Sequence, residues 1–560
     1  MCVGDCTPVS SKVLEIIASV MLPLFVSLAV VCLLLYPIWR ILQVGKRPAD
    51  FPPGPPTIPL LGNIHLIPRE NVHLQFQKWA QEFGPVYSLM LGSKTMVVLS
   101  SDQAVKDLLD KRSAIYSDRM DLYIGQTLAS GGLRILMMRY GPTWRMIRKL
   151  VHNLLNIHAS KSFEPYQVLE NQQMMFDILE EPTKFVEHVR RYANSLTTAT
   201  TFGVRTPTYE DAHFQELFKV FGEFVLLAQT GLAAVLDYMP ALRIIPSWAL
   251  PTKAQAIKNH VREKSLYRYH WDAAKAAILA GRRPNPCFSQ GLVREQVDND
   301  IDDDLASYIT GTLLEAGSDT TANTLIGFLC AMLVFPEVAA KAHEELDRVV
   351  GHDRMPVPQD EMNLQYIRGC VKESLRWMPT TILGAIPHAL TRDDFYMGFR
   401  LPKGAGVMNN VYTIHHDPRR YPNPDVFDPE RFKDDFLSTF DAAVHPDPAK
   451  RDHFTFGAGR RVCPGMHVAE RSLFLGIARL LWAFDFRRPV DGDGNEICPD
   501  PTKVTQGFVC APLPFKAVIT PRDEKRAEII RRDWEMAKKE NLEEGTMQWK
   551  TSLVDLKIGE

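Results

Sequence analysis

The chain has 560 residues, 46% of them hydrophobic, and a formal net charge of -2. That apolar share supports a large core, and a near-neutral chain without a long basic run excludes nucleic acid as a partner. Nine cysteines scattered without paired spacing are too few for a disulfide scaffold and fit a reducing compartment.

Residues 16–36 are almost wholly apolar, broken only by Ser19, Pro23 and Ser27, and their length suits one membrane crossing. Arg40, Lys46 and Arg47 follow the run, while Lys12 before it is offset by Asp5 and Glu15. The positive-inside rule therefore makes residues 1–15 lumenal and leaves the bulk of the chain in the cytosol. A cleaved signal peptide is the competing reading, but the run is long and the basic residues lie on the wrong side for one. Residues 37–63 are basic and then proline-rich (Phe51-Pro-Pro-Gly-Pro-Pro), which reads as a stiff linker.

Residues 86–91 and 95–100 read as a strand pair around Gly92-Ser93. Most of the remainder has helical periodicity, without an internal repeat. Trp144 and Arg148 fall on one helical face. Residues 231–250 form an apolar stretch with Tyr238, Pro240, Pro246 and Trp248, readable as ordinary core. A long helical stretch begins near Asp304; its apolar end, 324–335, is too short to span a bilayer and is stopped by Pro336. Inside it lies Ala316-Gly317-Ser318-Asp319-Thr320-Thr321. A mid-helix glycine costs about 1 kcal/mol relative to alanine, so Gly317 calls for a reason. Asp319 and Thr320 can equally be capping or back-bonding residues.

Glu373 and Arg376 stand one helical turn apart. Glu345 and Arg348 share that spacing, as do Glu528 and Arg531, both read as surface pairs. What distinguishes Glu373 is its order before Pro429-Glu-Arg431-Phe432 and Cys463.

Residues 456–465 read Phe-Gly-Ala-Gly-Arg-Arg-Val-Cys-Pro-Gly. A deprotonated cysteine ligates iron, and Cys463 stands before a helix expected over 466–484, at the end where a thiolate is favoured. Pro464 suits a first helical position, and Gly457 and Gly459 permit close backbone approach. Two other readings compete: a buried structural cysteine, and a zinc ligand paired with His467, though no second pair follows at zinc-ribbon spacing. After Pro521 the chain turns charged, and 522–544 reads as a solvated helix stopped at Gly545, within a charged extension over 522–560 that has no assigned role.

Phe456, Gly459, Arg461, Cys463 and Gly465 match all five fixed positions of Phe-x-x-Gly-x-Arg-x-Cys-x-Gly. This stretch resembles the haem-binding loop of the cytochrome P450 family. The resemblance covers about residues 50–520. It implies a mainly α fold with small β-sheets over 64–521, preceded by one transmembrane helix. It further implies a single-pass protein of the endoplasmic reticulum membrane with its catalytic domain in the cytosol, joined to the anchor by a proline-rich hinge.

Carried over residue by residue, the resemblance makes Cys463 the axial ligand of haem iron. Arg461, Trp144, Arg148 and His388 would reach the haem propionates. Ala316 and Gly317 would leave room for dioxygen, Thr320 would bond the oxygens, and Asp319 would relay protons. Glu373, Arg376 and Arg431 would lock the fold around the cofactor.

The implied reaction is a monooxygenation: one atom of O2 enters a small lipophilic substrate and the other becomes water. No Gly-x-Gly-x-x-Gly fingerprint or flavin domain is present, so electrons would come from a membrane-bound NADPH-dependent cytochrome P450 reductase. Its docking face would be the cysteine side, basic through Arg460 and Arg461. Expected pocket walls are 113–133, 231–250, 305–321, 380–387 and 504–511, largely apolar; in the family, 231–250 would roof the channel. The overall style resembles fungal members of secondary metabolism. A haem-thiolate isomerase or dehydratase would need neither O2 nor reductase, and such relatives tend to lack the distal threonine. A haem sensor or carrier is the non-enzymatic alternative, against which the Asp319-Thr320 pair argues.

Overall fold

A computed structural model describes residues 11–229, 232–282 and 285–550. The first ten residues of the expected lumenal segment, the start of the 231–250 stretch and the last ten residues of the chain lie outside the described residues. Helix α1 (Ser11–Gln43) contains Met21–Gln43, long and apolar enough to cross a membrane and exposed along its length. The anchor expected over 16–36 lies in this helix, which runs seven residues further. The linker does not hang free. Arg47 donates to Gly54 O (2.8 Å), Ser88 Oγ (3.0 Å) and Ser88 O (2.9 Å), which pins the proline-rich stretch onto the first strand.

The main helices are α2 (Pro142–Leu155), α3 (Glu164–Glu180), α4 (Phe185–Phe202), α5 (Ala212–Gln229), α6 (Pro251–Leu279), α7 (Asp303–Val334), α8 (Gln365–Trp377), α9 (Met466–Ala483) and α10 (Glu524–Asn541). Helix α7 starts where the Asp302 carboxylate accepts from Leu305 N at 2.7 Å, an N-cap that satisfies one orphan amide. It is buried on most sides and apolar in its last third, so it runs through the interior, packed on α4, α6 and α9. Met174, Tyr192, Leu325, Ile367, Leu480 and Ile530 bring α3, α4, α7, α8, α9 and α10 into one apolar core.

Among the described residues, nine short strands make three sheets. The largest has the order β1-β2-β7-β4-β3, with β1 (Val86–Leu91) antiparallel to β2 (Lys94–Leu99) and β2 parallel to β7 (Gly406–Asn409). At its far edge β4 (His388–Ala389) pairs with β3 (Asp118–Arg119), and the register sets Arg119 opposite His388. Strand β5 (Asp394–Tyr396) pairs with β6 (Phe399–Leu401), and β8 (Phe484–Arg487) with β9 (Val518–Pro521).

The tail corrects the expectation of a solvated helix. Ala527, Ile530, Trp534 and Ala537 recur at helical spacing and bury one face of α10 in the main core, against α3. Arg522 and Arg526 both pair with Asp347. Trp534→Ala should therefore destabilise the full chain by about 3 kcal/mol, as a large buried truncation does, read as a lower midpoint in chemical unfolding; an unchanged midpoint would mean that α10 does not belong to the core.

Candidate functional site

The cysteine loop hangs from the end of α8 by hydrogen bonds. Arg376 is fully buried and forks onto Glu373, with both N–O contacts at 2.6 Å. It also donates to His415 O and Pro424 O, both at 2.9 Å. Glu373 accepts further from Asp428 N (2.9 Å) and Arg431 Nε (3.3 Å). The His415 ring bridges Arg376 O (2.9 Å) and Phe454 N (2.7 Å), and Thr455 donates to Leu375 O at 2.7 Å. Glu373, Arg376 and Arg431 are thus one cluster, joined to the residues that lead into the loop.

Inside the loop, Cys463 N donates to Phe456 O at 2.9 Å. Burial pushes the Cys463 thiol up, while the Gly465 N–H and the Arg148 guanidinium pull it down. A bound cation is what would complete the thiolate's stabilisation. Helix α9 begins at Met466 with Gly465 as its N-cap, so Pro464 lies before the cap and not at the first helical position. The offset leaves the Gly465 amide free to face the sulfur.

Gly459 also departs from its expected role. Its φ is +62°, and a Cβ there would stand 2.0 Å from Leu109 O. Its smallness lets the loop pack on a neighbouring backbone, where Gly459 N donates to Asp110 Oδ1 at 2.7 Å. It shapes the loop rather than making room for a flat ligand.

Cations gather beside the loop. Arg461 stacks on the Trp144 ring at 3.9 Å and donates to Ser117 O (2.9 Å) and Met138 O (2.8 Å). Arg148 donates to Val462 O. Arg119, which the sequence reading missed, is buried and donates to Leu136 O at 3.0 Å and to Ile386 O. Among the described residues, none of Arg119, Arg148 and Arg461 makes a contact ion pair. The nearby Asp118 is held by Arg139 at 2.6 Å. Burial, then repulsion from Arg119, pushes Arg461 down to about 8.

His388 is pushed down to about 3 by burial, then by Arg119 and Arg461, and its Nδ1 lies 2.8 Å from Tyr116 O. It is therefore neutral at physiological pH. Arg461 points inward, so the basic outer face expected through Arg460 and Arg461 rests on Arg460 with Arg145 and Lys149. These three line a cavity of about 460 Å3 on the outer side of Cys463.

On α7, Ala316 is exposed although the helix around it is buried, so this stretch borders open space. Gly317 faces elsewhere: a Cβ there would meet Thr197 Oγ1 at 2.6 Å. Its smallness lets α4 close on α7, a packing reason for the glycine beyond the role expected from the motif. Thr320 donates to Ala316 O at 2.7 Å and keeps its oxygen free to accept. Asp319 accepts from Asn323 Nδ2 at 3.1 Å, and burial pushes its carboxyl up to about 6 against the pull of Arg190. A carboxyl poised there exchanges protons near neutral pH. Ile124, Met137, Phe224, Ile386 and Phe508 form an apolar cluster with no charged member.

A haem would fit this donor set. The three cations have no carboxylate in contact, which propionates would supply, and the sulfur has a backbone donor and a cation beside it. Loop and core helix thus belong to a mainly helical domain with one buried cysteine beside a group of cations. The sequence model for Cytochrome P450 matches residues 52–519, and the chain belongs to the cytochrome P450 family. It is 51% identical over 515 residues to cytochrome P450 monooxygenase virE of Hypocrea virens, covering 92% of this chain and 93% of the relative. Cytochrome P450 monooxygenase fogE of Aspergillus ruber is 48% identical over 515 residues, with 92% and 94% covered. Cytochrome P450 monooxygenase fsoB of Humicola fuscoatra is 45% identical over 517 residues, with 92% and 94% covered. Helix α10 lies beyond the family match.

The raised carboxyl of Asp319 gives a signed pH effect. The folded state keeps this proton between about pH 4 and 6 while the unfolded chain loses it, so this site's contribution to stability falls as pH rises through that window. Asp319→Asn should remove the slope, matching the wild type near pH 4 and exceeding it by up to about 3 kcal/mol at pH 7.5. Thermal midpoints of both proteins across this range check it, and parallel profiles would refute it.

Proposed function

We propose that this chain is a haem-thiolate monooxygenase that inserts one oxygen atom from O2 into a small lipophilic molecule. The observation that carries the reading is the set of cations without carboxylate partners beside Cys463. Cys463 would ligate the iron, Arg119, Arg148 and Arg461 would pair with the propionates, and Trp144 would hold Arg461 in place. A propionate beside His388 would favour its protonated form, which alone offers a donor at Nε2 while Nδ1–H serves Tyr116 O. When bound, the haem supplies dioxygen activation, with the thiolate favouring O–O cleavage.

The chain's own part is to hold and move protons. Asp319, with its carboxyl raised to about 6, exchanges a proton readily near neutral pH, Asn323 fixes one of its carboxyl oxygens, and Arg190 tempers its charge. Thr320 offers its hydroxyl oxygen beside exposed Ala316. The apolar cluster around Phe224 and Phe508 excludes water and suits a lipophilic molecule. Electrons would come from an NADPH-dependent cytochrome P450 reductase, with Arg145, Lys149 and Arg460 as the complementary basic face. Helix α1 would anchor the chain in the endoplasmic reticulum membrane, with the domain in the cytosol. The fungal relatives support a place in secondary metabolism.

The carbon monoxide difference spectrum of the reduced full chain tests the reading. The wild type should show the strongly red-shifted Soret band of thiolate-bound haem and Cys463→Ser should lose it; a histidine-type band in the wild type would overturn the assignment. During turnover of a substrate found by screening with reductase, Thr320→Ala should release severalfold more peroxide per NADPH. An unchanged ratio would remove Thr320 from oxygen handling.

A further inference from the structure

One side chain joins four elements around the apolar cluster. Arg134 is 1% exposed. Its guanidinium pairs with Glu263 of α6 and with Glu315 of α7, and its Nε donates to Ser130 Oγ at 3.0 Å. The same guanidinium lies 3.7 Å over the ring of Phe224 on α5. Both carboxylates are buried, and Glu315 directly precedes exposed Ala316. The turn that delivers Arg134 is built for the purpose. Gly131 and Gly132 have φ of +56° and +80°, and a Cβ on Gly131 would stand 2.8 Å from the His260 ring of α6. His260 Nδ1 in turn lies 2.7 Å from the Tyr308 hydroxyl of α7.

The other end of this segment is held differently. Ile124 N donates to Asp237 Oδ1 at 3.1 Å, and Arg243 pairs with Asp121 at 2.7 Å in a more exposed setting. Exposed pairs contribute little, whereas breaking a buried cluster leaves uncompensated charge. Arg134 is therefore the end that decides whether the segment can move.

We propose that Arg134, through Glu263, Glu315 and Phe224, is a positioning residue that limits the size of molecule admitted to the space beside Ala316. Phe224 packs edge-on to Phe508 at 6.1 Å and shares the apolar cluster with Ile124 and Met137. A bulky molecule must part these groups, and they part only if the ion cluster opens. A small one need not disturb them. The proposal rests on the haem reading, because that reading makes this space the substrate pocket.

The test uses the full-length haem-loaded protein and two nitrogen ligands of iron, imidazole and 1-tritylimidazole, followed by rapid-mixing spectroscopy. Arg134→Met alone strands two buried carboxylates and can unfold the protein, so it is combined with Glu263→Gln and Glu315→Gln, which keep shape and remove all three charges. In this triple variant 1-tritylimidazole should associate about tenfold faster while imidazole stays within about twofold. Arg134→Lys keeps the charge without the fork and should fall between. Amide hydrogen exchange should quicken over 121–138 and α5 and stay unchanged in α8. Equal factors for the two ligands, or no local gain in exchange, would overturn the proposal. A wild type without the red-shifted carbon monoxide band would overturn the haem reading instead, and the exchange pattern would then decide the clamp alone.

Discussion

Everything in this structure that leads to Cys463 depends on the buried fork between Arg376 and Glu373. A charge pair with no solvent contact is tolerable only if every donor and acceptor is used. Here Arg376 spends its remaining N–H groups on the carbonyls of His415, Pro424 and Val426, and Glu373 takes Asp428 N and Arg431. Pro424 and Val426 lie in irregular backbone and His415 ends a short helix, so these carbonyls have no helix or sheet partner of their own. His415 then passes the connection to Phe454 at the mouth of the cysteine loop. The helix end and the loop are thereby held as one body, which is what a ligand atom at a fixed position requires.

Two kinds of positive charge serve different ends. Arg376 and Arg134 are matched by buried carboxylates, so they tie elements together. Arg119, Arg148 and Arg461 are matched mainly by backbone carbonyls, which leave their charge uncancelled. Burial first and that residual charge second push Arg461 and His388 down, and an anionic group would settle the cluster. The structural arginines hold the frame, and the uncancelled ones are those that the proposed function assigns to an anionic cofactor.

Small residues divide in a similar way. Ala316 borders open space, whereas Gly317 and Gly459 are small because a helix and a backbone carbonyl press against them. A motif written in glycines does not reveal which of them faces the ligand. Proximity in three dimensions assigns that role.

The sequence by itself determined the cysteine loop, the core helix with Asp319 and Thr320, the Glu373–Arg376 turn and the helical class of the fold. Each of these is local, with partners within a few residues, and for Glu373–Arg376 the order of the motifs along the chain adds what spacing alone does not carry. The docked face of α10 was missed, because Ala527, Ile530, Trp534 and Ala537 repeat at helical spacing beneath a heavy load of charge that reads as a solvated helix. Only the tertiary structure decided the rest. Arg119 meets His388 through two-residue strands 269 positions apart, and Arg134 meets Glu263 and Glu315 across more than a hundred residues. No periodicity marks such pairs, because the contact is made by how helices and strand edges pack and not by the order of residues along either one.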